Sequence, residues 1–244
     1  MRRTHRRPLF DALLAALLLG TALTAPVAAQ DPDPDAPGLS PTERLAALVE
    51  RIHLEQSRLT SFEASFTQRK ESMLLVEPEV SEGRLSYQAP DKVRWEFNSP
   101  NDTVVIIREG EMLTWYRDLG RAELLQVGRH ADRILQYMSA GNSLETLKKY
   151  FNVSVRFPES DAPYGVDLEP RFSRVAKRLT EMSMKLHRDL YVPIQLRYVE
   201  PDGDVTELEL ADVRVNIELS SDLFETALPE GVEVREISIG EEAP

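Results

Sequence analysis

The chain has 244 residues, with 29 basic and 41 acidic side chains, four His and no Cys. A net charge of −12 argues against binding nucleic acid or an anionic membrane, because both need basic surface, although the same charge also serves solubility alone. Without Cys there is no disulfide, no thiol nucleophile and no Cys metal site, and no thiol to carry the lipid of a bacterial lipoprotein.

Residues 1–29 read as a Sec-type signal peptide. Arg2, Arg3, Arg6 and Arg7 form a positive start, Leu9 to Leu23 is apolar but short for a membrane span, and Val27-Ala28-Ala29 offers small residues for cleavage. Its removal leaves 215 residues with 25 basic and 40 acidic side chains, net −15, enough for one domain with a sizeable core. Residues 30–40, rich in Pro and Asp, read as a disordered leader. The rest, 41–244, reads as a single domain.

A helix is predicted from Pro41 to near Leu59. Ser40 caps it, Pro41 suits the first helical position, and Glu43 completes a capping box. Leu45, Leu48, Val49, Ile52 and Leu59 recur at helical spacing, so one stripe packs on something.

Period-2 segments follow. Phe62, Ala64 and Phe66 alternate with Glu63, Ser65 and Thr67. Leu85 and Tyr87 oppose Arg84 and Ser86, and Val93, Trp95 and Phe97 oppose Lys92, Arg94 and Glu96. Such alternation marks half-buried antiparallel strands with one apolar, aromatic face. Between them Met73 to Val76 is continuously apolar, which suits either a buried strand end or an apolar loop at the rim of a binding site. Val104–Ile107 and Met112–Tyr116 are strands joined by a hairpin at Glu109-Gly110. Trp115 and Tyr116 point to opposite faces, and their spacing leaves open which one faces inward. Ala122–Val127 is a further strand. The period then changes to helical over Arg129–Met138, and a second short helix runs from Asn142 or Ser143 through Tyr150. Strands resume over 151–157, 164–168, 182–187, 194–199, 205–210 and 213–217. The expectation is a mainly β fold with α, a curved antiparallel half-barrel of about ten to eleven strands, with lid or plug helices enclosing a hydrophobic cavity.

Reaction chemistry finds little support. There is no H-x-x-x-H pair, no G-x-S-x-G elbow and no glycine-rich phosphate loop. Asp202-Gly203-Asp204 lacks the remaining ligands of a calcium loop and reads as a hairpin turn. No enzyme, metal or cofactor is expected. An apolar cavity in an exported, acidic protein suits an acyl chain, at about 0.8 kcal/mol per buried CH₂.

The stretch from Ser61 to Tyr116 resembles the periplasmic lipoprotein carrier family, LolA. Phe62-Glu-Ala-Ser-Phe66-Thr-Gln68 is similar to its F-x-x-x-F-x-Q segment. Gly83-Arg-Leu85, Pro90, Val93, Trp95 and Pro100 follow its G-x-L strand, Pro and aromatic strand, and Phe224 with Leu228-Pro229-Glu230-Gly231-Val232 resembles its ending. The resemblance implies a half-barrel whose cavity holds the acyl chains of lipoproteins. It implies a monomeric, soluble periplasmic carrier loaded by an inner-membrane LolCDE-type ABC exporter and unloaded to an outer-membrane LolB-type receptor, with only transient contacts to those membrane proteins. Val93 and Trp95 match apolar cavity-facing positions; Leu85, Tyr87, Phe97, Phe62 and Phe66 share their alternation. The lid helices would add Leu48, Ile52, Ile134 and Met138. Two departures stand out. Ala89 occupies the position before the strand Pro where some members carry a latching Arg, with Arg84 and Arg94 as nearby substitutes. The MLLVEPEVSEG stretch is similar to LolA-related proteins of other export systems, which would carry other lipids. A lipid-sensing regulatory module on the same fold is the further alternative.

Overall fold

The structure, a computed structural model, describes residues 31–126 and 147–237. Its described residues from Asp33 onward belong to one compact unit.

Helix α1 runs Pro41–Ser57, two residues shorter than expected. Its start follows from the capping residues. The Ser40 hydroxyl accepts from the Glu43 N–H at 3.4 Å, and the Glu43 carboxylate accepts from the Ser40 N–H at 2.8 Å. The Ser40 hydroxyl, donating to the Glu43 carboxylate at 2.6 Å, and then the Ser40 N–H hold that carboxyl below its ordinary pKa.

Among the residues expected as a disordered leader, 33–36 are held against the fold instead. Pro34 is fully buried. The Asp35 carboxylate takes Arg44 at 2.8 Å and Arg188 at 2.7 Å, and accepts the Tyr164 hydroxyl. Composition predicts disorder because so polar a segment brings little apolar surface of its own. Here two guanidiniums and a phenol supply the partners that hold it.

Among the described residues, twelve strands form one sheet. They are β1 (Ser61–Glu71), β2 (Glu79–Gln88), β3 (Lys92–Ser99), β4 (Thr103–Arg108), β5 (Glu111–Tyr116), β6 (Arg121–Gln126), β7 (Phe151–Arg156), β8 (Tyr164–Pro170), β9 (Glu181–Leu186), β10 (Pro193–Val199), β11 (Val205–Val215) and β12 (Glu233–Ile237). Their spatial order is β12-β6-β5-β4-β3-β2-β1-β11-β10-β9-β8-β7, so the curved sheet stays open between β12 and β7. Every pair is antiparallel except β12 with β6, which is parallel. The count exceeds the ten to eleven expected because Glu233–Ile237 lacks a clean alternation and docks only after the chain crosses the sheet. Residues 205–217, expected as two strands, are one strand through Val215, with a register shift opposite Glu63 to Ser65. Asp212, at φ 52°, marks the bulge.

The hairpin expected at Glu109-Gly110 joins β4 to β5. Arg108 pairs with Glu111, and the two loop residues sit at φ 52° and 79°. A two-residue type I′ turn requires positive φ at both, which Gly110 adopts without strain.

Register sorts the side chains into two faces. Phe62, Tyr87, Val93, Ile107, Met112 and Leu125 form one cross-strand row. At the other end of the sheet Leu186 and Tyr164 lie on the same face, and α1 packs there. Leu48 and Ile52 bury against Phe151, Tyr164, Val166, Leu168, Leu186 and Tyr191. The opposite face carries Val104, Ile106, Leu113 and Ala122, packed with Trp115, Leu124, Leu228 and Val232. A C-terminal strap covers it. The turn Ser221–Phe224 buries Phe224, and Arg94 and Arg108 each donate at 3.2 Å, to the Leu223 and Phe224 carbonyls.

The helices expected over 129–138 and 142–150 lie outside the described residues, apart from 147–150. No helix among the described residues is long and apolar enough to cross a membrane.

Candidate functional site: an apolar sheet face

The candidate site is the first face of the sheet over β1–β6. Val93 and Ile107 are its buried floor. Leu85, Tyr87, Val105, Met112 and Leu125 pack around them and are only partly buried, and all seven come from the sheet itself. Beside this floor stands an aromatic cluster. The Phe66 ring meets Trp95 edge-on at 5.6 Å and Phe97 edge-on at 5.1 Å, while Trp95 and Phe97 stack at 5.8 Å. Such pairs add about 0.5–1.5 kcal/mol beyond the area they bury, so this part of the face is preformed.

Gly83 makes the cluster possible. It pairs with Phe66 on one side and Phe97 on the other. A Cβ there would lie 1.8 Å from the Glu96 carbonyl oxygen and 2.8 Å from the Phe66 ring. The glycine lets the Phe66 ring lie flat across β2 toward Trp95.

The face is graded. Trp95 pairs with Val105, then Thr114, then Glu123; Phe97 pairs with Thr103, then Tyr116, then Arg121. Each row therefore runs from aromatic to charged. The Tyr116 hydroxyl donates to Glu123 at 3.3 Å, and Arg121 lies over the Tyr116 ring at 5.0 Å. Burial and the Glu123 carboxylate push the Tyr116 hydroxyl up from its ordinary pKa. Chemically, the arrangement offers hydrocarbon at one end and ionic hydrogen bonding at the other.

The residues singled out from sequence are dispersed over this frame. Val93, Trp95, Phe97, Leu85, Tyr87, Phe62 and Phe66 do share one face. Phe62 sits apart from the aromatic trio, in a core with Ala64, Val192, Leu59 and Val215. Leu48 and Ile52 do not join the trio either. They are sealed at 0% and 2% exposure beneath α1, over β7–β9, where they fasten the helix. Ile134 and Met138 lie outside the described residues. Sequence reasoning left out Val105, Ile107, Met112 and Leu125. The β4 run Val104–Ile107 is apolar at every position, so alternation could not tell its faces apart.

Arg84 and Arg94 cannot latch a lid over this face, because both point to the other one. Arg84 approaches Glu63 at 3.7 Å, and Arg94 pairs with Glu96 at 3.0 Å while holding the strap. Glu96 also takes Arg117 at 2.8 Å. Burial raises its pKa, but Arg94 and Arg117 together outweigh that, so the Glu96 carboxyl lies below its ordinary value.

A sequence profile described as "Outer membrane lipoprotein carrier protein LolA" matches residues 57–227. The chain belongs to the LolA family. An outer-membrane lipoprotein carrier protein of Alkalilimnicola ehrlichii is 28% identical over 187 residues, covering 75% of this chain and 80% of the relative. Among solved structures, an uncharacterized conserved protein from Thermus thermophilus superposes with a TM-score of 0.51 at 12% identity, over 79% of this chain and 99% of that one. MucB superposes with a TM-score of 0.50 at 11% identity, over 75% of this chain and 62% of MucB. These two likenesses concern the fold alone. The aromatic strand with Val93 and Trp95, and the buried Phe224 of the strap, both fall within the residues matched to LolA. LolA is a family of periplasmic lipoprotein carriers rather than of enzymes.

Proposed function

We propose that this protein is a periplasmic carrier that shields the acyl chains of lipoproteins during transfer to the outer membrane. The observation that carries the reading is the graded sheet face, on which Trp95 and Phe97 stay partly exposed against the buried Phe66 ring and a preformed floor. Acyl chains lie along Leu85, Tyr87, Val93, Trp95 and Phe97, with Phe62 and Phe66 behind them. Each CH₂ removed from water contributes about 0.8 kcal/mol, so a 16-carbon chain needs only part of its length covered for a stable complex. The polar end, with Thr114, Tyr116 and Glu123, meets the esters and the attached peptide.

In this reading residues 1–29 direct Sec export and are removed, and the protein acts as a free monomer. It receives cargo from a LolCDE-type exporter and passes it to a LolB-type receptor, without a cofactor and without covalent chemistry. Transfer is an equilibrium among hosts, so the face binds with moderate affinity.

Native mass spectrometry of the protein purified from a periplasm, followed by lipid extraction, tests the reading. A bound acylated lipoprotein or its lipidated peptide is expected. A free phospholipid would redirect the carrier to another lipid. An empty protein that also fails to take up a fluorescent acyl probe would overturn it in favour of a sensing module.

A further inference from the structure

The β1–β2 connection projects from the sheet. β1 and β2 stay paired out to Lys70 with Glu79, whereas β3 leaves β2 at Glu82. Beyond that point Met73 and Leu74 are 90% and 93% exposed, Val76 is wholly exposed, and Leu75 and Val80 are 40% and 42% exposed. This answers the question left by the sequence, because the run is no buried strand end. Four consecutive apolar side chains at a projecting tip are unfavourable in water unless something covers them. The tip is also shaped in advance. The Leu75 N–H donates to the Ser72 carbonyl at 3.1 Å, and the Leu74 N–H to the Ser72 hydroxyl at 3.2 Å. A loop ordered before binding loses little entropy when it docks.

Its surroundings are acidic. Glu71, Glu77 and Glu79 flank the tip. The neighbouring β10–β11 turn adds Glu200, Asp202 and Asp204, whose carboxylates gather within 4.8 Å. That turn is tied to β1 by Lys70, 4.0 Å from Asp204. The nearby cations are already engaged, Lys70 there and Arg69 with Glu71 at 2.9 Å. Six carboxylates against two cations give a negative ring around an apolar centre. An anionic bilayer would repel that ring within a Debye length of about 8 Å. Insertion deep enough to bury Leu74 would also carry Glu71 and Glu77 toward the headgroups.

We infer that the Met73–Val76 tip is a docking plug for a protein partner, seated in an apolar groove rimmed by Lys or Arg. The apolar centre supplies the affinity, and the acidic ring supplies steering and register. The surface is separate from the aromatic face, so the inference does not depend on what that face carries.

Photo-cross-linking from benzoylphenylalanine placed at Leu74, in the full chain exported in its native cell, tests the inference. One protein adduct is expected. Once identified and purified, that partner should bind Leu74→Asp at least tenfold more weakly than the unaltered chain. Glu77→Lys combined with Glu79→Lys should weaken binding and flatten its salt dependence. Uptake of a fluorescent acyl probe should be unchanged in both variants, which separates this surface from the cargo site. The inference is overturned by a lipid adduct, by no adduct, or by a partner that binds Leu74→Asp as well as the unaltered chain. Leu74-dependent sedimentation with phosphatidylethanolamine–phosphatidylglycerol vesicles would replace the protein groove by a bilayer.

Discussion

At Gly83 a missing side chain decides the geometry of the site. The nearest atom a Cβ would meet belongs to the backbone of β3, at 1.8 Å, and cannot rotate away. Gly83→Ala must therefore push β2 from β3 or displace the Phe66 ring. We expect a loss of about 1–3 kcal/mol, the usual range for overpacking, seen as a lowered thermal midpoint. Trp95 behaves differently, because it is partly exposed. In Trp95→Glu the carboxylate can stay hydrated when no ligand is bound, so the domain should fold with a near-native circular dichroism spectrum. An acyl chain would have to desolvate that charge, and retention of a fluorescent acyl probe should be lost. Trp95→Phe should keep most of it. Equal retention by all three proteins would remove Trp95 from the site.

At the scale of elements, the N-terminal segment and α1 act together. Asp35 ties residues 33–36 to Arg44 on α1, to Tyr164 on β8 and to Arg188 in the β9–β10 connection. Burial, followed by the hydrogen bond to Asp35, pushes the Tyr164 hydroxyl far above the ordinary tyrosine range. A pKa raised on folding means that the folded state holds the proton more tightly than the unfolded chain. The associated stability is intact below about pH 10, the ordinary tyrosine value, and is lost as pH rises toward the folded value. Denaturant unfolding between pH 8 and 11 should show that loss, and Tyr164→Phe should flatten it. The segment also shows the limit of compositional reasoning. Its Pro and Asp content is that of a disordered leader, and only the three distant partners reveal a clasp. The reverse holds for α1, whose start was legible because Ser40, Pro41 and Glu43 act within four residues of one another.

At the scale of the molecule, one sheet has two apolar faces and each needs its own cover. The strap from Ser221 through β12 serves the second face. Removing residues 221–244 would expose Val104, Ile106 and Leu113 and strand the Arg94 and Arg108 donors. We expect that truncation to aggregate, or to bind more hydrophobic dye than the intact chain does. A truncated chain that stays monomeric and binds no more dye than the intact chain would show that the strap is dispensable. The first face keeps Trp95 and Phe97 partly exposed beside the buried Phe66, which a purely structural sheet would not need.

Local order alone determined much of this protein. Alternation placed Phe62, Phe66, Leu85, Tyr87, Val93, Trp95 and Phe97 on one face, because side chains along a strand alternate with period two whatever the strand pairs with. The capping box and the Glu109-Gly110 turn were equally local. Tertiary structure decided whatever depended on partners distant in sequence. Register placed Trp115 under the strap and Met112 on the apolar face, a choice that Met112–Tyr116 alone leaves open. Pairing across the sheet sent Leu48 and Ile52 to the β7–β9 core and turned Arg84 and Arg94 away from the site. Exposure at Met73–Val76 was likewise settled by where β3 stops accompanying β2. An apolar run carries the same composition whether buried or bare, and only its neighbours in space distinguish the two.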